Sequence, residues 1–126
     1  MSFDWADYLK LAEALARDPD APGPAEASLR TAISRAYYAA YRSALNLAVK
    51  RGELAVAGLA SDHTLVINHF RDASDRTRQK IGANLSRLRG NRNKAGYDDV
   101  LTGQPAAIAH SSVAFARNVL TALSSL

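Results

Sequence analysis

Apolar residues recur at steps of three and four along almost the whole chain, and this spacing limits the folds open to it. Such steps place side chains on one face of an α-helix, whereas the alternation typical of half-buried strands does not occur in the sequence. Leucine and alanine dominate over valine and isoleucine, which also favours helices over strands. The sequence therefore predicts an all-α fold.

Five helical segments follow from this spacing and from the residues that interrupt it. A proline-rich stretch separates the first two segments, Gly52 follows the second, and Pro105 opens the fifth. Ser61 or Asp62 offers an N-cap for the third segment. The approximate bounds of the predicted helices are 5–16, 25–50, 61–75, 77–95 and 105–123. Because short connections favour antiparallel neighbours, we expect a single domain over residues 1–126, an antiparallel up-and-down bundle of four main helices plus one shorter helix.

The charges of the chain are unevenly distributed. Residues 71–94 hold eight basic residues against two acidic ones, although the net charge of the whole chain is only +4. A local basic stripe attracts polyanions through counterion release, and phosphates are the obvious candidates. The alternative is a solvated helix face without a ligand.

Several protein classes lack support in this sequence. It contains no cysteine, which excludes disulfides and Cys-based zinc sites, and no HExxH, P-loop or GxGxxG motif. His63 and His69 stand about 240° apart around a helix and cannot share a metal on one face, so we expect neither metal nor cofactor. Asp4 and Asp7 do not suit a signal peptide, and no apolar run reaches the ~20 residues of a membrane span. We therefore expect a cytoplasmic protein without membrane contact.

Arg92 stands at a position where the helical pattern of the fourth segment expects a hydrophobe. The other positions of this stripe are Ile81, Leu85, Leu88 and Ala95. A guanidinium cannot lie in a dry core without a partner. Either a carboxylate such as that of Asp98 or Asp99, or backbone carbonyls, meets Arg92 there, or the stripe opens onto a cleft or second subunit where an anion binds.

A second polar row runs along the outer flank of the longest predicted helix. Arg35, Tyr38 and Arg42 follow each other at steps of three and four. Two interpretations stay open for this row. It extends an anion-binding cleft or a dimer contact, or its arginines only solvate the outer face of the helix.

Three stretches of the chain resemble the small single-domain HEPN proteins of bacteria and archaea. They are Ala-Ile-Ser-Arg-Ala-Tyr-Tyr-Ala-Ala-Tyr at 32–41, Ser-Asp-His-Thr at 61–64, and the segment 88–98 that contains Arg-Asn-Lys-Ala-Gly-Tyr. The resemblance covers nearly the whole chain. It implies an all-α bundle, frequent homodimers with a cleft at the interface, and RNA as the usual target. In many members the domain is the toxin or ribonuclease of a two-gene module whose partner is a minimal nucleotidyltransferase.

The resemblance also implies which residues form the site. The nuclease motif of the family is an arginine, usually followed at once by a polar residue, with a histidine after four to six intervening residues. Arg92 and Asn93 match its first part, and Tyr97 stands in place of the histidine. The implied catalytic group is therefore Arg92, Asn93 and Tyr97. The residues expected to support it by binding RNA or phosphate are Lys94, Arg89, Arg35, Tyr38, Asp98 and His63.

Metal-independent RNA cleavage needs a base, an acid and a cation that stabilises the phosphate. Arg92 can supply the cation, since its fork of donors pairs bidentately with phosphate oxygens. Tyr97 is a poor base, because a phenol with a pKa near 10 is deprotonated in only about one molecule per thousand at pH 7. It can still donate a hydrogen bond or stack on a base.

The predicted function is accordingly RNA binding or degenerate metal-independent ribonuclease action, as the toxin-type member of a toxin–antitoxin or stress-response module. The alternative function is that of a noncatalytic interaction module that docks a nucleotidyltransferase partner.

Overall fold

The computed structural model describes residues 2–126, and these residues form five helices without a strand. The helices are α1 (Asp7–Arg17), α2 (Ala25–Lys50), α3 (Asp62–Arg71), α4 (Arg76–Tyr97) and α5 (Pro105–Ser124). The predicted all-α class is confirmed, and so are the bounds of α2. Three helices are long, with 26, 22 and 20 residues, while α1 and α3 have 11 and 10. This corrects the expectation of four main helices and one shorter helix.

The third helix is shorter than predicted because the residues after it build a turn. Its last residue is Arg71, and the side chain of Asp75 then caps α4 by accepting a hydrogen bond from the backbone N–H of Arg78 at 3.0 Å. A carboxylate at this position satisfies a donor that the first turn of a helix leaves without an intrahelical partner. The predicted continuation of α3 to residue 75 is therefore replaced by the α3–α4 turn.

Contacts between helices give their directions. Tyr38 in α2 contacts Arg92 in α4, and Arg30, two turns earlier in α2, contacts Ala95 further along α4. As residue numbers rise in one helix they fall in the other, so α2 and α4 are antiparallel.

The short helix α3 is also antiparallel to α4. Thr64 at its start bonds Arg89, whereas Arg71 at its end lies against Gly82. Consequently α2 and α3 run parallel, which corrects the expectation that all successive helices are antiparallel. The connection over residues 51–61 is long enough to return along α2, since an extended chain spans about 3.3 Å per residue.

The buried carboxylate of Asp62 fixes the end of this connection. It accepts hydrogen bonds from the backbone N–H groups of Ala57 at 3.2 Å, Gly58 at 2.7 Å and Leu59 at 3.0 Å. Asp62 thus holds the preceding loop against the start of α3. The side-chain cap predicted from Ser61 or Asp62 is not observed, because neither side chain bonds the first turn of the helix.

The core surrounds α2, whose buried side chains are mostly small. The alanines allow neighbouring helices to approach closely: Ala32, Ala36, Ala39, Ala40, Ala44 and Ala48. The predicted apolar stripe of α4 is confirmed, since Ile81, Leu85, Leu88 and Ala95 are buried. In α5, helical spacing predicts an inward face of Ile108, Ser112, Phe115, Val119 and Ala122, widened by Val113, Leu120 and Leu123. Of these, Ser112, Val113, Val119 and Leu123 are buried and the others are half-buried. None of the helices in residues 2–126 has the length and apolar character needed to cross a bilayer.

Candidate anion-binding site

The guanidinium of Arg92 lies half-buried against two tyrosines of α2. Its Nη2 donates to Tyr38 Oη at 2.7 Å, and its Nη1 donates to Asn93 Oδ1 at 3.2 Å. The Cζ atom lies 5.2 Å from the ring centroid of Tyr38 and 6.0 Å from that of Tyr37. Within residues 2–126 Arg92 forms no ion pair. The structure therefore does not contain the acidic partner that the sequence left open for Arg92.

Arg30 of α2 contacts the backbone around Asp98 and Asp99, the two acidic residues nearest to Arg92 in the sequence. Its Nη1 donates to the backbone oxygens of Ala95 at 3.1 Å and Asp98 at 2.6 Å, and its Nη2 donates to that of Asp99 at 3.2 Å. Backbone carbonyls at the end of a helix lack intrahelical partners, so Arg30 holds the end of α4 against α2. Arg30 could not be selected from the sequence, because no local pattern shows which helix end lies opposite this side chain.

Arg89 lies one turn before Arg92 on α4 and is held in a similar way. Its Nη1 donates to Thr64 Oγ1 at 3.0 Å, and it too has no carboxylate partner in the described part of the chain. Two guanidinium groups on consecutive turns are thus oriented by hydroxyl groups, which do not neutralise their charge. They create a local positive potential at the surface between α2, α3 and α4.

His63 connects this pair of arginines to the tyrosines of α2. Its Nδ1 lies 2.5 Å from Tyr37 Oη, and its ring stacks on that of Tyr41 with centroids 4.2 Å apart and planes inclined by 6°. Burial and then the charges of Arg89 and Arg92 lower the pKa of His63, while Asp62 opposes them. The imidazole is therefore predominantly neutral at pH 7.

The proton between Tyr37 and His63 belongs to the tyrosine. Burial raises the pKa of Tyr37 far above its ordinary value, so the phenol stays protonated. Tyr37 Oη has no other hydrogen-bond partner among residues 2–126 and donates to Nδ1 of His63. The remaining proton of the neutral ring then resides on Nε2, which is a donor.

Five of the residues predicted for the site come together here. Arg92, Asn93, Arg89, Tyr38 and His63 are linked through direct contacts or through Tyr37 and Thr64. Helical spacing places Tyr37 and Tyr41 on the apolar face of α2 with Leu29 and Ile33, but it does not connect them with His63. The Ser-Asp-His-Thr stretch at 61–64 is the sequence signal that could have indicated this link, because it places His63 beside Thr64 at the start of a helix.

The other predicted residues lie elsewhere. Tyr97 is the last residue of α4, is 80% exposed, and stands about 140° around the helix from Arg92. Lys94 is exposed, and Asp98 contributes its backbone oxygen to Arg30. Arg35 lies over the ring of Tyr8 in α1, with Cζ 4.8 Å from the centroid. None of these four side chains forms a hydrogen bond or an ion pair with the Arg92 guanidinium.

This arrangement suits an anion rather than a metal. Arg89 and Arg92 provide cationic donors, Tyr38 and Thr64 orient them, and the neutral His63 adds a polar edge without positive charge. In the described part of the chain, no three side chains of His, Asp or Glu lie close enough to hold a metal ion together. Comparisons with protein-family models, curated proteins and solved structures found no match.

Proposed function

We propose that this protein binds RNA through a phosphate group held by Arg89 and Arg92. One observation carries the proposal: two guanidinium groups on consecutive turns of α4 are held by hydroxyl groups instead of carboxylates. Partial burial makes such charges costly unless an anion compensates them. A phosphate offers several oxygens and pairs bidentately with arginine, which makes it the best-suited anion.

The choice of RNA among phosphate-bearing ligands is supported by the resemblance to HEPN proteins. The two stretches that carry most of this resemblance, 32–41 and 88–98, contain Tyr38 and Arg92, which form a direct hydrogen bond. The resemblance adds a biological setting to the proposal, that of a toxin-type member of a toxin–antitoxin or stress-response module.

The geometry favours binding over cleavage. A general base needs an acceptor atom within reach of the ribose 2′-hydroxyl. Nδ1 of His63 already accepts from Tyr37, and Tyr97 is distant from Arg92 around the helix. We therefore propose a degenerate ribonuclease with little or no turnover, in which binding is the retained property.

RNA binding by the wild type and by Arg92→Ala tests the proposal. Fluorescence anisotropy of a dye-labelled single-stranded RNA gives the dissociation constants. Loss of a charge-assisted contact worth about 1.5–3 kcal/mol should weaken binding at least tenfold. Arg76→Ala is the matched control, because Arg76 is exposed at the opposite end of α4. No binding by the wild type at low salt, or equal losses in the two variants, would contradict the proposal.

A second candidate function is favoured by two exposed residues, the last residue of α4 and Val100 in the loop that follows it. Tyr97 is 80% exposed and Val100 is 82% exposed, although both are large apolar residues. This pair suits a protein contact, such as docking of a nucleotidyltransferase partner. Copurification with a co-expressed nucleotidyltransferase from the neighbouring gene that is lost in Tyr97→Ser, together with absence of RNA binding, would favour this function over the first.

A further inference from the structure

A pocket of about 340 Å³ adjoins the anion-binding site and shares Tyr38 and His63 with it. The remaining walls are formed by Trp5, Tyr41 and Arg42, and by the end of the 51–61 connection, including Ala60. The volume falls within the range of small-ligand sites. One ligand can therefore fill this pocket and also place an anionic group at Arg92.

The walls of this pocket are aromatic and fixed in place. The rings of Tyr41 and His63 are nearly parallel and stack on each other, which holds the imidazole in one orientation. The loop that forms part of the rim is held by the bonds from its backbone N–H groups to the carboxylate of Asp62. The pocket is thus formed before any ligand arrives.

Arg42 gives the pocket a polar donor without a partner. Its guanidinium lies over the ring of Trp5, with Cζ 4.7 Å from the centroid, and forms no ion pair within residues 2–126. Its Nε atom is buried and donates to no atom of the described chain. A small rotation of the Arg42 side chain would let Nε donate to an acceptor atom of a bound ligand.

We propose that the pocket takes one unstacked nucleobase of a single-stranded RNA whose phosphate lies at Arg89 and Arg92. Bases stack on aromatic rings and on guanidinium planes, and every base carries carbonyl or ring-nitrogen acceptors on its edges. A duplex keeps its bases paired and stacked inside, and presenting one would cost a few kcal/mol of unpairing and unstacking. The inference rests on the proposed RNA binding and names its substrate class, single-stranded RNA with an accessible base.

Trp5 provides a direct probe, because it is the only tryptophan of the chain and lines the pocket. The full-length protein is titrated with an RNA hexamer and with an abasic hexamer of the same sugar-phosphate backbone. Intrinsic fluorescence and anisotropy of a terminal dye are recorded together. The RNA hexamer should quench Trp5, whereas the abasic strand should bind about tenfold more weakly without quenching.

Two loop variants separate the pocket from the phosphate site. Ala60→Phe fills the pocket from its exposed rim, and Ala55→Phe places the same side chain in the same connection but outside the pocket. Ala60→Phe should bind the RNA hexamer as weakly as the wild type binds the abasic strand, while Ala55→Phe should behave as the wild type.

The outcomes distinguish this inference from the function on which it rests. Equal binding of both hexamers without a change in Trp5 fluorescence, or equal RNA binding by the two loop variants, would overturn the nucleobase pocket and leave phosphate binding intact. Absence of binding by either hexamer would overturn both.

Discussion

Arg92 occupies a core-facing stripe because its side chain has two different parts. The aliphatic stem continues the apolar stripe between Leu88 and Ala95, and the guanidinium reaches the edge of the core at Tyr38. The sequence alone left open whether an acid or a ligand would meet this charge. The answer depended on which helix faces α4, and a local pattern does not contain that information.

The hydroxyl of Tyr38 is predicted to orient Arg92 for its ligand. Tyr38→Phe keeps the ring beneath the guanidinium and removes only the acceptor of the 2.7 Å hydrogen bond. We expect about fivefold weaker RNA binding, equivalent to roughly 1 kcal/mol, with the free energy of unfolding nearly unchanged. Tyr97→Phe removes the hydroxyl oxygen from an exposed ring and should leave the affinity for RNA unchanged. Equal effects of the two substitutions on RNA binding would speak against this role.

The lowered pKa of His63 makes the stability of the protein depend on pH. Its ordinary value is 6.5, and burial together with Arg89 and Arg92 lowers the folded value. The unfolded chain therefore binds a proton at pH values where the folded chain does not, so stability falls as pH drops through about 6.5 and levels off below the folded pKa.

His63→Gln should remove this contribution. We predict that the free energy of unfolding, measured by urea denaturation between pH 7 and pH 5, falls more steeply in the wild type than in the variant. Asp75, whose pKa is also lowered, loses its contribution only in a more acidic window and is present in both proteins. Parallel pH profiles of the two proteins would show that His63 does not titrate as inferred.

The close approach of α3 and α4 depends on a glycine. A Cβ added at Gly82 would lie 2.5 Å from Cγ and 2.8 Å from the backbone Cα of Arg71. The second atom belongs to the backbone and cannot move away without displacing the end of α3. This contact keeps α3 along α4, which is how Thr64 and His63 come to lie beside the two arginines.

Two glycine substitutions in the same helix are predicted to have opposite effects. Gly82→Ala should lower the free energy of unfolding by about 1–3 kcal/mol through overpacking, although alanine is the better helix former. Gly90→Ala should raise it by about 0.5–1 kcal/mol, because a Cβ there meets no atom within 4 Å. Urea denaturation measures both changes. A stabilising Gly82→Ala would mean that the helices are not held at this distance.

Helix bounds were predictable where the sequence carries local signals. Pro24 and Gly52 flank α2, and Pro105 starts α5, so these bounds follow from residue chemistry. The end of α3 was predicted four residues too late because Asp75 serves the next helix as a cap. Helical spacing alone does not reveal that role.

At the scale of the whole molecule, local sequence patterns predict neither the direction of α3 nor which residues come together in the site. The parallel course of α2 and α3 follows from contacts between residues far apart in the sequence, Thr64 with Arg89 and Arg71 with Gly82. The loop before α3 is held by three backbone N–H groups that donate to Asp62. The site itself combines α2, α3 and α4. The sequence identified Arg92, Asn93, Arg89, Tyr38 and His63, but only the tertiary structure separates them from Tyr97, Lys94, Asp98 and Arg35.

The basic stretch predicted from the sequence is divided among several surroundings in the structure. Arg78 pairs with Asp75 at 3.1 Å, Arg87 lies over the ring of Phe115, and Arg76 is exposed. Arg89 and Arg92 alone among these arginines of α4 contact the tyrosines or hydroxyl groups of α2 and α3. Binding of a polyanion should therefore depend on these two charges more than on the total charge of the helix.

The salt dependence of RNA binding tests this central claim most directly. The slope of log K against log salt is measured for the wild type, for Arg89→Ala/Arg92→Ala, and for the control Arg76→Ala/Lys80→Ala, which removes two exposed charges from the same helix. Each phosphate contact contributes about 0.7 to the magnitude of the slope for a single strand. Because Arg89 and Arg92 hold one phosphate, we predict that the magnitude falls by about 0.7 in the site variant and changes little in the control. Equal reductions in both double variants, or an unchanged slope in the site variant, would contradict the account.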